Sequence, residues 1–395
     1  MSGNELSRVC VVGSGSRFWS GISIYTRRLA NALAESYRVS VIEMRQLLPT
    51  RLYPGRSRLD SDISRLAYHE SVRVFDGVDW YWVSSIFRAL AFLVRERPNI
   101  VIFQWWTATV LHTYVILALA ARLMRCQIVI EFHEVLDTGE EVLKPVHAYV
   151  NLVAPWLMRL ACGFVVHSNY DLPIVEERYR LRGLPVARIP HGPYDHYRSH
   201  DKGQWHRDAS EESCNLLWFG VIRPFKGVED LILAFDSIPE DEISKYWLTV
   251  VGETWASWTL PAELIKESRY RDRITFVNHY ANDEELAGFF NWADAVVLPY
   301  HRSSASGPLH TAISWGLPVV VTEVGGLPEA VADYKGAILV PPKSPIALRN
   351  ALLQVKHLRG RRFRNPHSWA CTRQEYQKLI AEMQTHHSAG EGGLS

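Results

Sequence analysis

The feature that most limits how this chain can fold is a repeated alternation. Short apolar runs rich in Val and Ile are separated by longer amphipathic stretches. That pattern builds strand–helix–strand units on a parallel sheet, whose strands are covered on both faces and so read as continuous apolar runs. In the first half, strands are expected at 9–12, 39–42, 100–103, 128–132 and 164–166, with helices near 23–34, 84–95, 109–124 and 146–160. Residues 49–62, rich in Arg, Pro, Gly and Ser, read as an exposed loop, and the polar interval 198–213 as a connection. The alternation then restarts with strands at 216–219, 248–251, 274–277, 295–298 and 319–321. Two doubly wound parallel-sheet α/β domains follow, one over 1–200 and one over 214–366, joined by a linker at 201–213. Residues 369–383 read as a terminal helix, and the Gly/Ser-rich 388–395 as a disordered tail. Ligands of such sheets bind at the carboxyl ends of the strands, here in the cleft between domains.

Composition narrows the class. A chain of 395 residues exceeds one ordinary core, and 47% apolar with 22% charged residues excludes a disordered or collagen-like polymer. Five scattered cysteines (Cys10, Cys126, Cys162, Cys214, Cys371) include no Cys-x-x-Cys pair, which argues against a zinc ribbon or a disulfide scaffold and for a reducing compartment. The polar opening residues lack an apolar leader, so a cytoplasmic location is expected. A formal charge of +1 excludes a chain-wide nucleic-acid footprint. The first 200 residues hold 23 Lys/Arg against 18 Asp/Glu, a net of +5, and the remainder a net of −4. Residues 98–121 carry no charge, long enough to span a bilayer, but Asn99, Gln104, His112 and three threonines favour a buried strand and core helix.

Several constellations sit where such a cleft should be. The first strand runs into Gly13, Gly15 and Gly21, which either let backbone N–H groups approach a phosphate or simply make a tight turn. Phe18 stands where a dinucleotide fingerprint needs its third glycine, so a nicotinamide site is disfavoured. After strand 216–219 come Arg223 and Lys226, able to neutralise a diphosphate or to be a solvated loop pair. After strand 295–298, Ser303, Ser306, Gly307, Pro308, Leu309, His310 and Thr311 open a helix. Pro308 fits its first turn, and the N–H groups of Leu309 and His310 are expected to be free for an anion. His310 itself reads as packing or surface rather than catalysis. Gly325 and Gly326 make a second small-residue turn ahead of Glu329. His133 ends strand 128–132 on the cleft side, where a structural and a functional histidine remain open alternatives. Asp60 and Asp62 form an Asp-x-Asp in an Arg-rich loop, a poor setting for a metal.

In this order the pieces resemble the group 1 glycosyltransferases, a retaining family of GT-B fold. The resemblance is strongest over residues 216–342, in Phe-Gly-Val-Ile-Arg-Pro-Phe-Lys-Gly, Ala-Asp-Ala-Val-Val-Leu-Pro-Tyr, Ser-Gly-Pro-Leu-His-Thr-Ala, Gly-Leu-Pro-Val-Val-Val-Thr and Val-Gly-Gly-Leu-Pro-Glu. It is looser before, resting on Ser20-Gly21-Ile22, His133 and Ile189-Pro-His-Gly192. It implies two Rossmann-like domains facing a central cleft, with the helix at 367–387 returning to the first. The second domain would hold a nucleotide-sugar donor, which is a substrate and not a cofactor. Arg223 and Lys226 would grip its diphosphate, the Gly307–Leu309 helix start (with Ser303, Ser306 and Thr311 around it) would contact sugar and nucleotide, and His133 would approach the sugar from the opposite domain. Gly15 and Gly21 would shape the loop nearest the diphosphate and acceptor. No metal is expected. The acceptor would be a glycan or a lipid-linked glycan.

Two departures stand out. The family commonly has two glutamates with seven residues between them; here Ser303 and Thr311 occupy those positions, and a hydroxyl cannot chelate a ribose diol as a carboxylate does. Val221 stands where an arginine usually follows the loop glycine, with Arg223 two residues on. These keep a catalytically silent partner subunit or sugar sensor in play, alongside a sugar-nucleotide epimerase and an inverting transferase using Glu134 or Asp137 as base. Trp80, Trp82, Trp105 and Trp106, with the basic loop 51–65, suggest docking on an anionic membrane, or else simply fill a core.

Overall fold

The computed structural model describes residues 6–15, 17, 19–47, 64–79, 83–134, 143–200, 213–255 and 258–391. The first sheet is built from β1 (Arg8–Ser14), β2 (Arg38–Gln46), β3 (Arg73–Asp79), β4 (Ile100–Trp105), β5 (Gln127–Phe132), β6 (Gly163–Val166) and β7 (Val186–Arg188). They run parallel in the order β3-β2-β1-β4-β5-β6-β7. The second contains β8 (Cys214–Phe219), β9 (Tyr246–Val251), β10 (Ile274–Val277), β11 (Ala295–Leu298), β12 (Val319–Thr322) and β13 (Ala337–Val340), parallel in the order β10-β9-β8-β11-β12-β13. In each sheet the winding reverses beside its first strand, between β1 and β4 and between β8 and β11, so crevices open at the carboxyl ends of those pairs.

Helices α1 (Gly21–Ala34), α2 (Val83–Glu96), α3 (Leu111–Leu123), α4 (Lys144–Leu160) and α5 (Asp171–Tyr179) accompany the first sheet. The second is accompanied by α6 (Val228–Asp236), α7 (Glu240–Ile243), α8 (Leu260–Glu267), α9 (Asp283–Trp292), α10 (Gly307–Ser314), α11 (Leu327–Ala330) and α12 (Pro345–Val355), with α13 (Trp369–Glu391) last. One face of the first sheet (Cys10, Val12, Val101, Phe103, Ile128, Ile130) is sealed by α2, α3 and α4. The opposite face (Val9, Val11, Ile100, Ile102, Val129) is sealed by α1 and α13, which delivers Trp369, Tyr376, Leu379 and Met383. Trp369 closes the joint: its indole N–H donates to the Pro193 carbonyl, 2.8 Å away, and its ring lies where a Cβ at Gly192 would have to sit.

The uncharged run 98–121 resolves into β4, a short 3-10 turn over Ala108–Val110 and α3, with Trp105 fully buried and Trp106 packed against the same core. Both tryptophans are therefore part of the first domain's core packing, Trp105 wholly and Trp106 in part. No helix among the described residues is long and apolar enough to cross a membrane. Trp80, Trp82, Asp60, Asp62, Asp137, residues 51–63 of the basic loop, the linker 201–212 and residues 392–395 lie outside the described residues. The expected disordered tail is corrected in part, since α13 continues through Ser388 to Glu391. Strands β3, β7 and β13, at sheet edges, were not expected from the sequence.

The domains share a core. Trp19, Ile24, Tyr194 and Tyr197 from the first half pack with Leu286, Phe290, Leu309 and Ile313 of the second. Two polar clasps join them as well. Glu329 accepts the Asn169 N–H at 2.6 Å and pairs with Arg188, while Asp283 accepts the Ser64 hydroxyl at 2.6 Å and the Arg65 N–H at 3.0 Å.

Candidate active site

The second domain's phosphate-type loop is set by one glycine. Arg223, Pro224, Phe225 and Lys226 follow β8 as a single 3-10 turn, and Gly227 closes it at φ +61° before α6 begins. A Cβ at Gly227 would stand 2.0 Å from the Pro299 carbonyl oxygen, so backbone conformation and close approach both demand glycine. The turn is tied to the end of β11 by the His301 N–H, which donates to the Phe225 carbonyl at 2.8 Å, and by His301 against Asp230 at 2.8 Å. Arg223 lies 4.3 Å from the centre of the Trp255 ring, and the Lys226 ammonium 3.7 Å from that of Tyr300. Aromatic faces stabilise both cations without neutralising them. Among the described residues no carboxylate comes within ion-pair distance of Lys226. Burial pushes its ammonium down to about 7; Glu134 of the first domain acts against this, and Arg223 and Arg302 add to it. An incoming dianion would reverse that depression.

The helix start across from this turn differs from expectation. Ser306 caps α10, its Oγ accepting the Leu309 N–H at 3.2 Å, and the His310 N–H donates to the Ser306 carbonyl at 3.1 Å. The two N–H groups expected to be free are thus both engaged, which leaves Gly307 as the first-turn N–H donor, Pro308 having none. Leu309 itself is core. Ser303 donates its hydroxyl to the Ala305 carbonyl at 2.8 Å. Thr311 is buried and donates to the Gly307 carbonyl at 2.9 Å, so its hydroxyl is spent inside the helix. The 303–305 turn rests on Gly325, at φ +54°, where a Cβ would meet the Ser303 oxygen at 1.7 Å.

On the first-domain side, Gly15 donates its N–H to the Met44 carbonyl at 3.2 Å, and Ser20 with Ser23 forms a reciprocal cap on α1. Tyr194 links the two helix starts: its hydroxyl donates to the Gly21 carbonyl at 2.9 Å, and its ring lies 3.7 Å from the Cβ position of Gly307. Gly21 and Gly307 are therefore both brought against the hydroxyl end of one tyrosine.

His133 is buried at the end of β5, its N–H held by the Trp105 carbonyl at 2.8 Å. Its Nδ1 lies 3.1 Å from His167 Nε2, and His167 Nδ1 lies 2.9 Å from the Ile189 carbonyl. Since that carbonyl only accepts, His167 carries its proton on Nδ1 when neutral, and His133 Nδ1 donates to it. Beneath them Glu131 accepts from the Tyr25 hydroxyl at 2.7 Å and from Gln104 at 3.0 Å. Burial pushes its carboxyl up, but His133 and His167 together hold it down at about 2. Burial, with the neighbouring His133, lowers His167 to about 4. His191 stacks on His310 at 5.1 Å, and burial lowers His310 to about 3. Donor atoms of Glu131, His133 and His167 lie within 4.8 Å of one another, a possible metal set, but most of them are already hydrogen-bonded within the protein.

Sequence reasoning missed Glu131, His167, His191 and Tyr194. A signal existed, because His167 follows the last residue of β6 as His133 follows that of β5. A cavity of about 360 Å³ opens between the domains, lined by His167, Arg188, His191, His310, Glu329 and His367 among others. Arg223 and Lys226 do not line it; it lies on the β6–β7 side of α10.

Comparison with known proteins identifies the family and the fold. Residues 213–357 match the family described as Glycosyl transferases group 1, and residues 19–194 match Glycosyltransferase Family 4. A D-inositol 3-phosphate glycosyltransferase of Streptomyces coelicolor is 29% identical over 195 residues, 48% of this chain and 41% of that protein. The matched segments span less than half the length of the curated relatives. Sucrose-phosphate synthase from Thermosynechococcus elongatus superposes with a TM-score of 0.60 at 18% identity, over 98% of both chains. Anabaena HepE, solved with UDP and glucose, superposes at 0.57 with 14% identity, over 98% of this chain and 100% of that one. With two family matches that together span most of its length and two facing parallel-sheet domains, the chain belongs to the group 1 glycosyltransferases of GT-B fold.

Proposed function

We propose that this protein transfers a hexose-type sugar from a nucleotide-sugar donor to a glycan or lipid-linked acceptor, with retention of configuration and without a metal. The observation that carries the reading is the Arg223–Lys226 turn: two cations held over aromatic rings at the carboxyl end of β8, beside the start of α10 and facing Glu134 of the first domain. The acceptor hydroxyl oxygen bonds to the anomeric carbon as the bond from that carbon to the phosphate oxygen breaks. The departing phosphate oxygen takes the acceptor proton, so no protein nucleophile is needed. Arg223 and Lys226 stabilise the charge growing on the leaving diphosphate, an effect larger in the transition state than in the ground state. His133, fixed by His167 and by the Glu131 network, meets the sugar from the other domain. HepE was solved with UDP and glucose, which supports a donor of this class.

Thr311 favours a second reading. Its hydroxyl is committed to the Gly307 carbonyl, so this helix offers no carboxylate for a ribose, and a silent sugar-sensing subunit would tolerate that loss. Purified protein incubated with a panel of sugar nucleotides separates the two readings: release of nucleoside diphosphate supports transfer, and binding without release supports the sensor. Within the transfer reading, His133→Ala should lower kcat far more than it weakens nucleotide binding in a thermal-shift titration. A defect confined to nucleotide affinity would remove His133 from the sugar.

A further inference from the structure

Helices α2, α3 and α4 pack side by side on one face of the first sheet. An amphipathic helix in that position should show one apolar stripe, turned to the sheet. These three show a second one, turned outward. Val83, Phe87 and Val94 stand exposed on α2, Ile116, Leu119 and Leu123 on α3, and Leu152 and Trp156 on α4, with Leu143 just before it. The exposure is large: 66% for Phe87, 88% for Leu123, 72% for Leu152 and 58% for Trp156. Their spacings, three, four or seven residues apart within each helix, keep each set on one side.

Charge says what covers this face. The single acidic residue in the three helices is Glu96, and it is buried against Arg73 and Arg95. Every exposed charge on them is basic: Arg88, Arg95, Arg122, Lys144 and Arg159. A second copy of this chain would set arginine against arginine with no exposed acid to pair them. An anionic lipid surface meets both requirements, with apolar side chains entering the acyl boundary and guanidinium groups on the phosphates.

We propose that the outer face of α2, α3 and α4 docks the protein on an anionic bilayer. Each helix begins at the carboxyl end of the preceding strand, so Val83, Phe87, Leu143 and Lys144 lie at the cleft end of the face. Docking holds the cleft beside the lipid headgroups; that an acceptor is presented there rests on the glycosyl-transfer reading, while the docking itself does not.

Flotation of the full chain with vesicles tests it, comparing phosphatidylcholine alone with an equal mixture of phosphatidylcholine and phosphatidylglycerol. The wild type should float with the anionic vesicles at low salt, weakly at high salt, and not with the neutral ones. Phe87→Glu combined with Trp156→Glu should cut the bound fraction at least about tenfold. If the two glutamates impair folding, Arg88→Gln with Arg159→Gln should still weaken binding to the anionic vesicles. Failure of the wild type to float, flotation unchanged in both pairs of variants, or a wild-type dimer that the glutamate pair splits without any vesicle binding would each overturn the proposal. Nucleoside-diphosphate binding measured on the same samples separates the two readings: vesicle binding without it would count against the transferase and leave the docking face standing.

Discussion

The two crossovers that follow β1 and β8 occupy equivalent places in their sheets and do different work. After β1 the chain turns through glycines, caps α1 with Ser20 and Ser23, and brings no lysine or arginine into the described residues of the turn except Arg17, which donates to Gln46. After β8 it turns through Arg223 and Lys226, ends on a left-handed glycine and rests both cations on aromatic rings. One fold, used twice, thus supplies a self-satisfied wall on one side and an unneutralised cation on the other. Topology locates the crevice; the side chains at its two lips decide which one attracts an anion.

Removing the cations should break this contrast most strongly. Lys226→Ala or Arg223→Ala should lower turnover roughly 10²–10³-fold in a donor-consumption assay while the circular dichroism spectrum is kept. Near-wild-type rates in both would end the proposed role of the turn. The backbone offers a sharper comparison. Gly227→Ala forces a Cβ towards the Pro299 carbonyl at an unfavourable φ and should cost about 1–3 kcal/mol in denaturant unfolding. Gly21→Ala, whose nearest neighbour is the Tyr194 hydroxyl at 3.4 Å, should stay within about 0.5 kcal/mol. Equal effects would mean that the two turns are not distinguished as described. The smallest effect is one of pH. With its ammonium at about 7 in the free protein, Lys226 is charged below that value and loses its charge above it. The kcat/KM for the donor should therefore decline through neutral pH, by up to about tenfold per unit, and Lys226→Arg should flatten the decline.

The central strands were legible because burial on both faces leaves an uninterrupted apolar run; β1, β4, β5, β8, β9 and β11 all read this way. The edges were not. Strand β3 carries Arg73, Asp76, Gly77 and Asp79, β7 is three residues long, and β13 is half-exposed and followed at once by Pro341 and Pro342. Arg223 and Lys226 could be named from their place after a strand, but the rings beneath them could not, since Tyr300 and Trp255 arrive from other strand ends. The misreading at α10 was avoidable: Ser306 stands three residues before Leu309, the spacing of a helix cap. The tryptophan-based membrane surface gained no support for a different reason: Trp105 and Trp106 belong to the core, and Trp80 and Trp82 lie outside the described residues. A tryptophan count does not say which face a ring occupies, whereas the outward stripes of α2, α3 and α4 emerge once their inward faces are known.

Calorimetric titration of nucleoside diphosphates, and of the matching monophosphates, into wild type and Lys226→Met tests the central claim most directly. The account predicts that one diphosphate binds the wild type at least about tenfold more tightly than its monophosphate, and that Lys226→Met erases most of this difference. Equal affinity for the two ligands in the wild type, or an undiminished preference in Lys226→Met, would contradict it.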